Sequence, residues 1–170
     1  MYRTKTYIAG DWTGDSDAIN KLYEWNEGKH WGLSFHDAHE LTQSRDTSLN
    51  CSIKISLRKR LAASKCFVLI VGDKTNMLTS GGCQLCNSYN SYTHHCARNH
   101  SVDFRSYIQY ECDVAFDSNI KIIVLYNSLL VNKNKCPEIL RDCPIHIPLI
   151  YHKNGCNYWN YNDVKNAFDY

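Results

Sequence analysis

Hydrophobic residues fall into five short runs, separated by segments in which apolar positions recur with helical spacing. The runs predict strands at 5–10, 31–37, 65–72, 120–127 and 146–152. The third and fourth runs are nearly continuous in Val, Ile, Leu and Phe, which is typical of central parallel strands that helices cover on both faces.

The segments between these runs predict four helices, at about 15–28, 50–64, 104–118 and 160–168. Alternation of strands and helices along a chain is the pattern of doubly wound α/β proteins. We therefore expect a three-layer α/β fold with helices on both faces of a five-stranded parallel sheet, in the order 2-1-3-4-5.

One carboxylate conflicts with this pattern in the third predicted helix. At about 100° per residue, one side of that helix is apolar: Phe104, Tyr107, Ile108, Val114 and Ala115. Glu111 lies in the middle of this arc. An ionised carboxylate is costly to remove from water unless it is paired. Either Glu111 has a buried partner, or the helix lines a cleft at this position.

Length and composition predict a single domain over residues 1–170, because a chain of this size with 44% hydrophobic residues can build one real core. A formal net charge of +2 gives no electrostatic reason to expect nucleic acid or an anionic membrane as a partner. The sequence has no run of some 18 apolar residues and no secretory leader. We expect a soluble, cytoplasmic protein.

The nine cysteines support that expectation. Their number is odd, and Cys66 and Cys112 lie inside apolar segments, where cysteine usually serves as a small buried hydrophobe. We interpret the cysteines as mostly reduced thiols.

Charged and ionisable side chains that could bind a ligand follow the predicted strands. Ligands of parallel α/β sheets bind at the carboxyl ends of the strands, and the residues that the sequence brings to this rim are Asp11, Asp37, His39, Arg45, Asp46 and Asp73. Aspartates at strand ends also cap helices, so each one has a structural alternative.

The irregular stretch at about 73–103 is too long for an ordinary connection, which indicates a functional loop or a small accessory element. It carries closely spaced thiols and imidazoles that suit a tetrahedral structural zinc site: Cys83, Cys86, Cys96 and either His95 or His100. The alternatives are a polar loop with free thiols and a disulfide formed by oxidation.

Four segments in this order resemble the TIR-like domains of archaeal and bacterial proteins, including the TIR-like subunit of the Thoeris anti-phage defence system. They are TYIAGD, FHDAHEL followed by SRD, IKISLRKRLAASKCFVLIVGDKT, and YIQYECDVAF followed by IKIIVLYNS. The resemblance covers roughly residues 4–150 and implies a flavodoxin-like fold.

For catalytic members, the resemblance implies cleavage of the nicotinamide–ribose bond of NAD+, followed in Thoeris-type members by cyclisation of ADP-ribose into a signalling nucleotide for an effector partner. The family's catalytic glutamate lies on the helix between the third and fourth strands, usually after an aromatic residue, and Glu111 after Tyr110 matches it. The residues assigned to substrate binding are Ala9, Gly10, Asp11, Trp12, Asp37, His39, Arg45, Asp46 and Tyr107.

The residue types suit this chemistry. Departure of nicotinamide leaves a cationic ribosyl group, which a carboxylate beneath the ribose stabilises. Trp12 or Tyr107 could stack on nicotinamide or adenine.

Two other functions remain open. Many TIR domains act as self-associating adaptors, although an adaptor has no need of a carboxylate on an apolar face. A relative of the nucleoside deoxyribosyltransferases would use a similar glutamate on another N-glycosidic bond.

Overall fold

The computed structural model describes residues 3–28, 32–38 and 49–169. Its strands are Lys5–Ala9 (β1), Ser64–Val71 (β2), Tyr89–Asn90 (β3), His95–Cys96 (β4), Lys121–Tyr126 (β5), His146–Pro148 (β6), Ile150–Lys153 (β7) and Cys156–Trp159 (β8). Its helices are Ser16–Glu27 (α1), Asn50–Ala62 (α2), Tyr107–Asp117 (α3) and Tyr161–Asp169 (α4). The four helices lie where the sequence predicts them, with ends that differ by three residues or fewer.

A parallel sheet of four strands, in the order β1-β2-β5-β6, forms the centre of the described structure. β2 pairs with β1 on one side and with β5 on the other, in register from Cys66 opposite Lys121 to Val71 opposite Tyr126. The prediction that the apolar run at 65–72 is a central strand is confirmed. Its near-continuous apolar sequence follows from burial on both faces.

Helices cover both faces of the sheet, as the sequence predicts. On one face α2 and α3 contribute Leu57, Leu61, Ile108, Cys112 and Ala115 to a core that includes Phe67 and Leu69. On the other face α1 and α4 contribute Ala18, Ile19, Leu22, Trp25, Val164 and Ala167 to a core that includes Val68 and Ile70. Alternate residues of β2 therefore belong to opposite cores, as the two-residue period of a strand requires.

The predicted strand at 31–37 is reduced to one parallel bridge, between Thr6 and Asp37, in the described part of the chain. Gly32 and Ser34 have left-handed φ angles of 48° and 52°, which interrupt an extended strand. The side chain of Asn26 also bonds both backbone groups of Phe35, accepting from its N–H at 2.7 Å and donating to its carbonyl at 3.0 Å. These groups are therefore not available to a neighbouring strand. The order of five strands is therefore not confirmed.

The predicted last strand, 146–152, divides into two strands that belong to different sheets. β6 pairs with β5 in the central sheet, whereas β7 forms an antiparallel hairpin with β8. Asn154 and Gly155, with φ angles of 51° and 80°, form the hairpin turn. Asn-Gly is the dipeptide that favours the tight turn of a two-residue hairpin, and it redirects the chain here.

The long segment 73–103 is an accessory element with short regular pieces. It contains 3₁₀ helices at Thr75–Met77 and Cys83–Leu85, and a small hairpin of β3 with β4. The Tyr107 N–H donates to the Ser80 carbonyl at 2.8 Å, which joins the segment to the start of α3. Among the described helices, none has the length and apolar character needed to cross a membrane.

Truncation of the central strand should test this core. Leu69 is fully buried, so Leu69→Ala should lower the free energy of unfolding by about 2 to 5 kcal/mol. The matched change Leu130→Ala, at a leucine that is 76% exposed, should alter it by less than about 0.5 kcal/mol. Urea unfolding measures both, and a small effect at Leu69 would contradict a packed centre.

Candidate active site

Glu111 lies in a buried contact between α3 and β1. Its side chain is 8% exposed, and the hydroxyl of the fully buried Tyr7 donates to Glu111 Oε1 at 2.5 Å. The two residues are 104 positions apart in the sequence, so only the tertiary fold brings them together. The sequence analysis expected either a buried partner for Glu111 or a cleft, and the structure shows that the buried partner is the phenol of Tyr7 on β1.

A capping box fixes the start of α3 and with it the position of Glu111. The Gln109 N–H donates to Ser106 Oγ at 3.2 Å, and the Ser106 N–H donates to Gln109 Oε1 at 3.0 Å. Such reciprocal bonds satisfy two backbone donors that a helix start otherwise leaves open. The first turn of α3 is therefore held in place one turn before the carboxylate.

Burial dominates the electrostatics of this contact. It raises the pKa of Glu111 from an ordinary 4.5 to about 7, although the Tyr7 hydrogen bond and the charge of Arg60 act in the opposite direction. Burial, followed by the charge of Glu111, also raises the pKa of Tyr7 well above its ordinary value. Tyr7 therefore remains a proton donor while Glu111 titrates near neutral pH.

Arg60 supplies the cation of this cluster, from the last turns of α2. It is 6% exposed, and its carbonyl accepts from the Ser64 hydroxyl at 2.8 Å. The sequence analysis missed both Arg60 and Tyr7. A signal for Arg60 was present, because it lies beside Leu57 and Leu61 on the apolar face of α2, just as Glu111 interrupts the apolar face of α3.

The end of β1 holds the first group of predicted substrate residues. Ala9 is buried, and Gly10 approaches β2 so closely that a Cβ atom there would lie 3.2 Å from Ile70 Cβ. Asp11 Oδ1 accepts from the Thr13 N–H at 3.1 Å, which organises the turn after the strand. Trp12 follows with 48% of its surface exposed, so its ring is accessible at this end of the sheet.

Asp37 lies on the other side of β1 and is joined to α1. The Tyr23 hydroxyl donates to Asp37 Oδ2 at 2.5 Å, and the Tyr23 ring centre is 6.4 Å from that of Trp12. The structure therefore brings Trp12 and Asp37 to one neighbourhood through Tyr23. The predicted residues His39, Arg45 and Asp46 lie outside the described residues.

A further carboxylate at this rim, Asp15, is one that the sequence analysis did not select. It is 4% exposed, and Asn127 Nδ2 donates to its Oδ1 at 3.1 Å. Burial raises the pKa of Asp15, and the neighbouring Asp11, Asp17 and Asp73 raise it further. Asp73 itself pairs with Lys135 at 2.6 Å, which lowers its pKa.

Tyr107 is placed against the accessory segment. Its hydroxyl donates to Asn50 Oδ1 at 2.9 Å, and a Cβ atom at Gly81 would lie 2.6 Å from its ring. Gly81 has a φ of 99°, so a side chain there would be strained in any case. In this arrangement the Tyr107 ring holds the long segment onto α2 and α3.

The four predicted zinc ligands do not assemble into a metal site. In the described ranges no group of three or more His, Cys, Asp or Glu side chains is placed so that it could hold a metal ion. Cys83 is buried and its Sγ accepts from the Asp103 N–H at 3.2 Å, whereas His100 is exposed and Cys96 pairs in the β3–β4 hairpin. Backbone hydrogen bonds organise the segment as described, and a zinc site here stays a prediction.

The fold is that of a parallel α/β domain with a buried glutamate on the helix before the third strand of its central sheet. Residues 7–79 match the family described as Thoeris protein ThsB, TIR-like domain. The match confirms the resemblance to TIR-like domains over these residues, which are fewer than half of the chain. The matched range includes Tyr7 and Arg60 and ends before Glu111. No curated protein matches the chain.

The raised pKa of Glu111 makes stability depend on pH. Between about 4.5 and about 7 the folded protein retains a proton that the unfolded chain has lost, so stability should fall by about 3 kcal/mol as the pH rises through this window. Glu111→Gln removes that titration, so the stability of the variant should depend less on pH across this window than that of the wild type. Urea unfolding across the window measures it, and equal slopes for the two proteins would contradict a raised pKa.

Tyr7→Phe should raise the pKa of Glu111 further, because it removes the hydrogen bond that favours the ionised carboxylate. Carbon-detected NMR of glutamate-labelled protein reports the titration directly. Tyr92→Phe, at a tyrosine that is 95% exposed, is the matched control and should leave the titration unchanged. An unshifted Glu111 resonance in Tyr7→Phe would mean that the phenol does not stabilise the carboxylate.

Proposed function

We propose that this protein is a TIR-like enzyme of anti-phage defence that cleaves the nicotinamide–ribose bond of NAD+ and cyclises the ADP-ribose moiety into a signalling nucleotide. The observation that carries the proposal is the desolvated carboxylate of Glu111 on α3, held by Tyr7 and within the influence of Arg60. The match of residues 7–79 to the TIR-like domain of Thoeris ThsB supports the defence context.

The chemistry follows from the environment of the carboxylate. Nicotinamide leaves with the electron pair of the C–N bond, and the ribosyl carbon becomes cationic. A carboxylate that burial has deprived of water gains more from a nearby cation than a solvated one does. Glu111 is such a group, because burial alone moves its pKa upward against two favourable neighbours. Binding of a cationic centre would restore its ionised form.

Tyr7 acts in this proposal as a positioning residue. Its hydroxyl holds Glu111 Oε1, and among the described contacts of Glu111 this is the only hydrogen bond. Oε2 would then accept from a ribose hydroxyl and lie toward the developing charge. Attack of water on the ribosyl carbon would yield ADP-ribose, whereas attack by a nucleophile of the adenosine moiety would yield a cyclic product.

The rim at the end of β1 supplies groups for the rest of the substrate. The exposed ring of Trp12 could stack on nicotinamide or adenine. Asp11 and Asp37 offer carboxylate oxygens for ribose hydroxyls in the same neighbourhood, and His39, Arg45 and Asp46 remain proposed substrate residues. The product would act on a downstream effector, and self-association of the chain belongs to the same proposal.

The alternative is a non-catalytic TIR-like interaction and signalling module. The Tyr7–Glu111 hydrogen bond also favours it, because a satisfied buried carboxylate has a structural use without any substrate. The two functions differ in what happens when the charge of Glu111 is removed.

Glu111→Gln decides between them, since it keeps the shape and a hydrogen-bond acceptor but removes the negative charge. We expect nicotinamide release from NAD+ to fall by about two orders of magnitude or more, with the melting temperature retained or raised at neutral pH. Chromatography of reactions with purified protein, and with lysate of infected cells, measures the release.

Glu27→Gln is the matched control for the loss of one carboxylate, because Glu27 is exposed at the end of α1. It should keep full turnover. Retained turnover in a folded Glu111→Gln protein would contradict the catalytic role, and absence of nicotinamide release from the wild type in both preparations would favour the interaction module.

A further inference from the structure

The outer face of α2 lines a cavity of about 530 Å³, on the far side of the helix from the core. Its α2 residues recur with helical spacing: Cys51, Lys54, Ile55, Arg58, Lys59 and Ala62. The opposite wall comes from the accessory segment and the start of α3, with His100, Ser101, Asp103 and Tyr110 among its residues. The long segment that the sequence singled out therefore forms one side of a cavity.

Positive charge exceeds negative charge among the residues that line this cavity. Asp103 is neutralised by two cations, because it pairs with Lys54 at 3.2 Å and with Arg105 at 2.7 Å. Arg58 and Lys59 are exposed, and no ion pair between described residues involves either. The cavity thus presents two uncompensated cations, one turn from the apolar surface of Ile55 and Ala62.

Lys54 gives the wall of the cavity a fixed shape. It is 4% exposed, and its ammonium donates to the carbonyl of Arg105 at 2.7 Å and to that of Asp103 at 3.2 Å. It also lies 5.5 Å from the ring centre of Tyr110, which Arg105 contacts at 5.0 Å. These contacts join α2 to the residues that precede α3, so the two walls are held together before any ligand binds.

We propose that this cavity is a binding site for an organic phosphate of nucleotide size, separate from the site around Glu111. The phosphate would lie on Arg58 and Lys59, because guanidinium and ammonium groups are the side chains that best hold phosphate. The apolar part of the ligand would lie against Ile55 and Ala62. A cavity of about 530 Å³ suits such a ligand. The proposal does not depend on NAD+ cleavage.

Calorimetric titration of the full chain with AMP as the probe tests the site. We expect saturable binding of one AMP per chain that weakens as salt is added. Inorganic phosphate and adenosine should each bind at least roughly tenfold more weakly than AMP. Phosphate contacts only the two cations, and adenosine contacts only the apolar surface. Absence of AMP binding, or equal binding of phosphate and AMP, would overturn the proposal.

Two variants locate the binding. Ala62→Phe fills the apolar part of the cavity without changing charge, and Arg58→Ala with Lys59→Ala removes the two cations. Each should weaken AMP binding roughly tenfold or more. The charge variant keeps the test decisive if Ala62→Phe does not fold, and full AMP affinity in a folded form of either would overturn the assignment.

Matched controls separate the cavity from general effects. Ser52→Phe places the same ring at an exposed position of α2 outside the cavity, and Lys74→Ala with Lys153→Ala removes two exposed cations elsewhere. Both controls should bind AMP as the wild type does, and loss of binding in either would overturn the location.

Discussion

The contact of Tyr7 with Glu111 is the constraint on which the candidate site depends. A carboxylate in the apolar layer between α3 and the sheet is tolerable only because a phenol donates to it and a guanidinium lies within electrostatic range. Even so, burial moves the pKa of Glu111 to about 7, so the ionised form is disfavoured in the folded protein. A purely structural contact of this kind would be easier to build from apolar residues.

That disfavoured charge links stability to chemistry. Under the proposed function, the same desolvation that makes the ionised Glu111 costly at high pH would make it a strong stabiliser of a cation bound beside it. Tyr7, Arg60 and Glu111 come from β1, α2 and α3 respectively, so a movement of either helix changes the environment of the Glu111 carboxylate. The capping box of α3 and the ammonium of Lys54, which joins α2 to the chain before α3, limit such movement.

Patterning predicted the layers of the fold well, because helix and strand periods report burial directly. The four helices and the central position of the 65–72 strand follow from apolar spacing. The strands at the two sheet ends were predicted less well. Local backbone chemistry decided them, through the left-handed residues Gly32 and Ser34 in one case and the Asn154–Gly155 turn in the other. In the described residues the predicted zinc ligands are not grouped for a metal ion, because ligand spacing along the chain does not determine how a hairpin orients its side chains, and the zinc site stays a prediction.

The sequence alone determined that this chain forms alternating helices and strands, that Glu111 interrupts an apolar face, and that the chain resembles TIR-like domains. These conclusions rest on the short-range periodicity of apolar residues and on the order of the matching segments, and both can be read from the sequence without a structure. Only the tertiary structure decided that Tyr7 is the donor to Glu111, that Arg60 lies within its electrostatic range, and that the accessory segment forms a cavity with α2. Those facts depend on contacts between residues far apart in sequence, and the packing of helices on a sheet creates them where no local pattern can specify them.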